Sequence, residues 1–165
     1  MKLLSFLVYL YCYVFLYVQL LNYQTFYHLC NYTIEIDIRK TKDDILVVFH
    51  DKTLKRLTGL STSIENLKFN EIKKLKLLGT KEHIPTLKEV LKLVNGKVLI
   101  DIEIKNCQSW KKVCKILIND LSKYKYPYII KSFNPKIIKY IKKLNENITV
   151  WMTWKKVDTN LRKVE

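Results

Sequence analysis

The sequence predicts an α/β domain built of parallel βα units, and three observations point to it. Short β-branched runs alternate with longer stretches of helical period between residues 34 and 154. Two of the runs, Ile34-Glu35-Ile36-Asp37-Ile38 and Ile100-Asp101-Ile102-Glu103-Ile104, set isoleucine and acid on alternate positions, the period of a strand. Pro85, Asn95-Gly96 and Asn134-Pro135 stand where helices would start or stop. With 165 residues there is room for one domain, and a long apolar segment precedes it. The expected organisation is a hydrophobic helix over 1–21 and a domain over 22–165.

No Asp, Glu, Lys or Arg lies between Lys2 and Glu35, and residues 3–21, LLSFLVYLYCYVFLYVQLL, are almost wholly apolar or aromatic. A run near twenty residues can span a bilayer. No small-x-small cleavage site follows, and the run is long for the core of a signal peptide. The expectation is therefore an uncleaved membrane anchor, with a signal peptide or a degraded gene start as the alternatives. Arg39, Lys40 and Lys42 beyond the segment favour a membrane-associated domain on the cytoplasmic side. Residues 22–31 follow with helix-like spacing of Phe26, Leu29 and Cys30, and His28 there is expected to be a packing or surface histidine.

Residues 34–38 and 45–49 are predicted strands. A helix is predicted over 64–78, with Ile64, Leu67, Ile72, Leu75 and Leu78 as its apolar positions. Thr86 and Glu89 form a capping-box pattern for a helix that should stop at Asn95-Gly96. A strand is expected over 97–105 and a helix over 107–122, with Trp110, Val113, Cys114, Leu117 and Leu121 on one face. YIIKSF is the next strand. Asn134-Pro135 is an N-cap and first-turn pair for a helix through Leu144, and residues 148–154 give a last strand.

The net charge is +15, yet the chain has no Ala, only three Gly and abundant Lys, Ile, Asn and Tyr. That composition suggests a coding bias, and the lysines fall on helix faces as solvated charge. No zinc-finger spacing or RNA-binding aromatic signature accompanies them, so no nucleic-acid partner is expected. Cys12, Cys30, Cys107 and Cys114 form no Cys-x-x-Cys clip, and buried free thiols are the expectation.

The acids are the informative residues. Glu35 and Asp37 share one strand face, and Asp101, Glu103 and Lys105 share another. Spacing alone leaves two readings open: half-exposed strands with a wet polar face, or carboxylates gathered around a divalent cation.

Set in order, the motifs resemble the glycerophosphodiester phosphodiesterase family. The matching pieces are IEIDIRKTKDDILVVFHDKTLKRLTG at 34–59, IPTLKEVL at 84–91, DIEIK at 101–105 and IIKSF at 129–133. The resemblance implies a TIM-type (β/α) barrel of the phospholipase C-like phosphodiesterase kind. It implies a divalent cation, Mg or Ca, on Glu35, Asp37 and Glu103, and Lys105 beside the phosphate. His50 would be one of two acid/base histidines, and Phe133 would wall the pocket, with Trp151 or Trp154 doing the same at the next strand. Arg39 and Lys40 are alternative partners for Asp37, and Glu103 and Lys105 are able to pair with each other. Asp101 lies deeper in its strand. The implied substrate is a glycerophosphodiester, cleaved to glycerol 3-phosphate and an alcohol.

The family's opening His-Arg-Gly and Glu-Asn-Thr elements are not found in this sequence, and 165 residues fall short of the roughly 250 of such a barrel. The expectation is thus a partial barrel, truncated at both ends, with impaired activity. A non-catalytic remnant that binds phosphodiester or metal, and a basic binder of anionic lipid or nucleic acid, are the alternative functions.

Overall fold

The computed structural model of the protein describes residues 33–153. Within them five strands form one sheet in the order β2-β1-β3-β4-β5. They are β1 Thr33–Lys40, β2 Leu46–Val48, β3 Leu99–Ile104, β4 Tyr128–Ser132 and β5 Val150–Met152. Strands β1, β3, β4 and β5 are parallel, each beside the next in chain order. Sequential parallel neighbours joined by helices have the winding of a barrel arc, where a doubly wound sheet would switch direction at its first strand.

The first two strands depart from the expected parallel pattern. β1 and β2 form an antiparallel hairpin, from Ile38 opposite Val48 to Lys40 opposite Leu46. Residues 41–45 are too few for a crossover, which needs a dozen or more. The turn is built by its own polar groups. Thr41 Oγ1 donates to Asp43 and accepts from Ile45 N at 3.0 Å, and Asp44 takes a left-handed φ of 65°.

The helices are α1 Lys55–Thr58, α2 Phe69–Ile72, α3 Leu87–Val94, α4 Trp110–Leu121 and α5 Pro135–Leu144. α3 starts on the expected box: Thr86 Oγ1 accepts from Glu89 N at 3.1 Å, and Glu89 accepts from Thr86 N at 2.7 Å. It ends at Asn95 and Gly96, with φ of 44° and 78°. Asn134 caps α5 by accepting from Lys136 N at 3.0 Å, with Pro135 in the first turn.

The helix expected over 64–78 is instead a 3-10 turn, Ile64–Asn66, and the short α2. Its apolar positions are used, but by a folded loop. Leu67 is extended, and its carbonyl accepts from Lys42 N at 2.8 Å, a tie to the β1–β2 turn that a continuous helix would forbid. Asp43 accepts from Phe69 N at 2.9 Å and starts α2 afresh. Ile64 and Ile72 bury with Val47, Phe49, Leu54 and Ile84 in a small core under the hairpin, and Leu67 and Leu75 pack against it.

The main core lies on the other side of the strand alternation. Ile36, Ile38, Ile100, Ile102, Ile104 and Ile130 are fully buried on one sheet face. Val113, Leu117 and Leu121 of α4 and Ile137 and Ile141 of α5 are buried too, α5 packing on β4 and β5 and α4 on β3. Each such side chain contributes about 1.5–3 kcal/mol of hydrophobic stabilisation. Cys107 and Cys114 are free thiols, and burial pushes Cys114 up to about 12, so it is inert. Among the described residues no helix is long and apolar enough to cross a membrane. The apolar segment 3–21, the helix expected over 22–31 with His28, Cys12, Cys30 and Trp154 lie outside the described residues.

Candidate active site

Because the isoleucines of β1 and β3 face the helices, the residues between them face the opposite side of the sheet. Register sets them in rows: Glu35 beside Asp101, then Asp37 beside Glu103, Lys131 and Trp151. Glu35, Asp37 and Glu103 each place a carboxylate oxygen within 4.8 Å of the others. Acids on neighbouring strands repel unless countered. Two lysines counter them. Lys105 Nζ lies 2.8 Å from Asp37 Oδ1 and 2.7 Å from Glu103 Oε1. Lys131 Nζ lies 2.9 Å from Glu35 Oε1 and 2.8 Å from Asp101 Oδ2.

Burial works to lower the pKa of both ammoniums. The hydrogen bonds and charges of their carboxylates outweigh it, and both lysines are held above their ordinary value. The pairing of Glu103 with Lys105 is as expected. Asp37 does not pair with Arg39 or Lys40: Lys40 turns to Asp44 at 2.9 Å, and Arg39 turns to the His50 loop. Glu103 is buried, Asp37 half-buried and Glu35 exposed, so the cluster opens to solvent on the Glu35 side. Its donors are all carboxylate oxygens, the set that suits a hard divalent cation.

His50 follows β2 on a loop fastened to the acidic strand. Phe49 N donates to Asp37 O at 2.8 Å, and Arg39 donates to His50 O through Nε at 3.1 Å and Nη2 at 2.9 Å. His50 Nδ1 lies 2.9 Å from Asp51 Oδ1. Since Asp51 as a carboxylate only accepts, Nδ1 carries the proton and Nε2 is left with the lone pair. Arg56 in turn grips both oxygens of Asp51, and its hydrogen bonds hold that carboxyl below the usual range. The ring itself is exposed. The IPTL segment is structural here: Pro85 O accepts from Val48 N at 2.9 Å, and Thr86 bridges Val47.

Trp151 stands on the polar face beside Lys131 and is 66% exposed. Phe133, 43% exposed, follows β4 directly. The neighbouring Ser132 hydroxyl donates to Ile104 O at 2.9 Å and pins the ends of β3 and β4 together. Lys131, Arg39 and Arg56 are the residues that motif reasoning missed. Parity would have found two of them. Lys131 interrupts an apolar strand and so requires a carboxylate partner, and Arg39 has the same parity as Glu35 and Asp37.

Several known proteins share this arrangement of elements. A glycerophosphodiester phosphodiesterase of Caldanaerobacter subterraneus subsp. tengcongensis is 34% identical over 131 residues, 73% of this chain and 54% of that one. The crystal structure of a glycerophosphodiester phosphodiesterase from Thermotoga maritima matches with a TM-score of 0.63 and 28% identity, over 81% of this chain and 54% of that one. An Oleispira antarctica phosphodiesterase, solved with its product sn-glycerol-3-phosphate, matches with a TM-score of 0.69 and 24% identity, over 76% of this chain and 56% of that one. This chain spans little more than half the length of each. Residues 20–165 match the profile of the glycerophosphoryl diester phosphodiesterase family, nearly the whole chain, and to that family the chain belongs.

Proposed function

We propose that the chain hydrolyses glycerophosphodiesters to glycerol 3-phosphate and an alcohol, with Glu35, Asp37 and Glu103 holding a divalent cation, Mg²⁺ or Ca²⁺. The observation that carries this reading is the convergence of those three carboxylates within 4.8 Å on the face that also presents Lys105. When bound, such a cation supplies positive charge to the phosphodiester oxygens as negative charge develops on them. Lys105 adds a fixed ammonium at the same place. His50 carries protons through Nε2, with Asp51 and Arg56 holding its tautomer and Arg39 its backbone. Phe133 and Trp151 wall the pocket. The product bound by the Oleispira antarctica phosphodiesterase agrees with the product assigned here. Residues 3–21 would tether the domain to a membrane, and resistance of the full chain to carbonate extraction tests that.

The deciding experiment follows release of glycerol 3-phosphate from glycerophosphocholine, with Mg²⁺ or Ca²⁺ and with a chelator. The wild-type chain is expected to need the cation. His50→Ala should lower the rate by about 10²–10⁴-fold. Glu103→Gln should remove most of the cation-dependent rate. Unchanged rates in both variants would overturn the site, and a wild type with no cation-dependent release would overturn the activity.

A further inference from the structure

Four carboxylates, Glu35, Asp37, Asp101 and Glu103, meet two ammoniums, Lys105 and Lys131, on one sheet face. The acids outnumber these cations even with Arg39 of the same strand face counted. The lysines share out the acids by row. Lys105 spans Asp37 and Glu103, while Lys131 reaches back from β4 to the row of Glu35 and Asp101. The two ends of the Lys131 contact differ in exposure. The Lys131 side chain is 12% exposed and that of Glu35 is 56% exposed. The solvent-facing acid of the cluster is thus tied down by a buried cation. Asp101 keeps its other buried oxygen, Oδ1, without a hydrogen-bond partner.

We propose that Lys131 is a built-in counter-cation that positions Glu35 and limits the affinity of the acidic centre for its divalent cation. The proposal rests on the metal reading above and deepens it. A fixed positive charge on Glu35 raises the energy of a second cation on the same carboxylate, an effect that solvent reduces at the exposed Glu35 but does not cancel at 2.9 Å. The same contact holds Glu35 in place beside Asp101, so the ligand is positioned before the cation arrives. With an apolar residue at 131 the face would carry one more uncompensated negative charge and hold a divalent cation more tightly. A centre meant to bind, act and exchange is served by the weaker hold.

The test is calorimetric titration of the full chain, in a neutral detergent, with Mg²⁺ and with Ca²⁺ alone. Lys131→Met is expected to tighten binding about tenfold or more, and Lys131→Arg to stay within about threefold of wild type. The double variant Lys131→Met/Asp101→Asn removes one charge of each sign. It should return to within about threefold of wild type, and if Lys131→Met alone does not fold, Asp101→Asn, which leaves Lys131 wholly on Glu35, decides the matter by weakening binding severalfold, unchanged or tighter binding overturning the proposal. Unchanged or weaker binding by Lys131→Met, or a tenfold change in the double variant, would overturn the proposal. A wild-type chain that takes up neither cation would overturn the metal reading itself, and this inference with it.

Discussion

Two groups of lysines among the described residues contrast. On the sheet, Lys105 and Lys131 each sit between two carboxylates at 2.7–2.9 Å. On the outer surface, an open groove between α4 and α5 collects Lys111, Lys136, Lys139 and Lys143 around Trp110 and Tyr140. Those two rings pack edge to face at 5.5 Å, and Lys111 lies over Trp110 at 5.6 Å. Lys112 at the groove is tied to Asp44 at 2.6 Å. The first pair of lysines has low exposure and is charge-matched, and the groove lysines are solvated. The net charge of +15 therefore says little about function. What matters is which lysines share a strand face with acids.

The largest expected difference between the two groups is in stability. Lys105→Met strands Asp37 and the buried Glu103 beside each other with no cation. Breaking a buried pair from one side costs about 3–5 kcal/mol, and less here because the Lys105 side chain keeps some exposure. Urea unfolding at neutral pH should show a loss of about 2 kcal/mol or more, and added Mg²⁺ should recover part of it. Lys139→Met, by contrast, should shift stability by no more than about 0.5 kcal/mol. Equal losses would erase the distinction.

Asp51 lies between these extremes, paired with an Arg56 side chain that is 45% exposed. Solvent screens that pair, so Asp51→Asn is expected to cost about 1 kcal/mol or less. Its carboxyl is held below the ordinary range by the Arg56 hydrogen bonds. A depressed carboxyl stabilises the fold above its unfolded pKa of about 3.9, and that contribution is lost as pH falls through the lowered folded value. The Tm gap between wild type and Asp51→Asn should thus be open at pH 6 and close on acidification below about pH 4. A gap that stays constant to pH 3 would mean that packing, not the ion pair, is what the substitution removes. The same variant frees the His50 tautomer and should lower activity by more than it lowers stability.

Much of this was legible in the sequence, for identifiable reasons. The acid–isoleucine alternation of β1 and β3 fixed their faces, since parity in a strand leaves one choice. The caps at Thr86, Asn95 and Asn134 are local chemistry and were readable locally. The stretch 64–78 was not. Its apolar spacing suits a helix, and only the tertiary bonds from Leu67 O to Lys42 and from Asp43 to Phe69 break it. The β1–β2 hairpin departs from the overall alternation of strand and helix, and its signal is local: five intervening residues exclude a crossover. That Glu35, Asp37, Glu103 and Lys105 gather on one face follows from motif and parity together. Lys131 belongs to no motif, and its only signal in the sequence is that it is a lone charge in an apolar strand.

The smallest expected effect is also the one that most directly tests the contrast. Lys136, Lys139 and Lys143 lie along one side of α5, where they are exposed and face other lysines across the groove. Replacing all three by Gln removes mutual repulsion and costs only the slight favour of Lys143 for the helix C-terminus, a few tenths of a kcal/mol. Stability should therefore change by less than about 0.5 kcal/mol per substitution. The cation-dependent rate on glycerophosphocholine should stay within about twofold, because none of the three reaches a carboxylate of the sheet face. Thermal melts and the same product assay read both quantities. A tenfold loss of activity with an unchanged melt would mean that the groove lysines act on the substrate, and the division between matched and solvated lysines would then have been drawn in the wrong place.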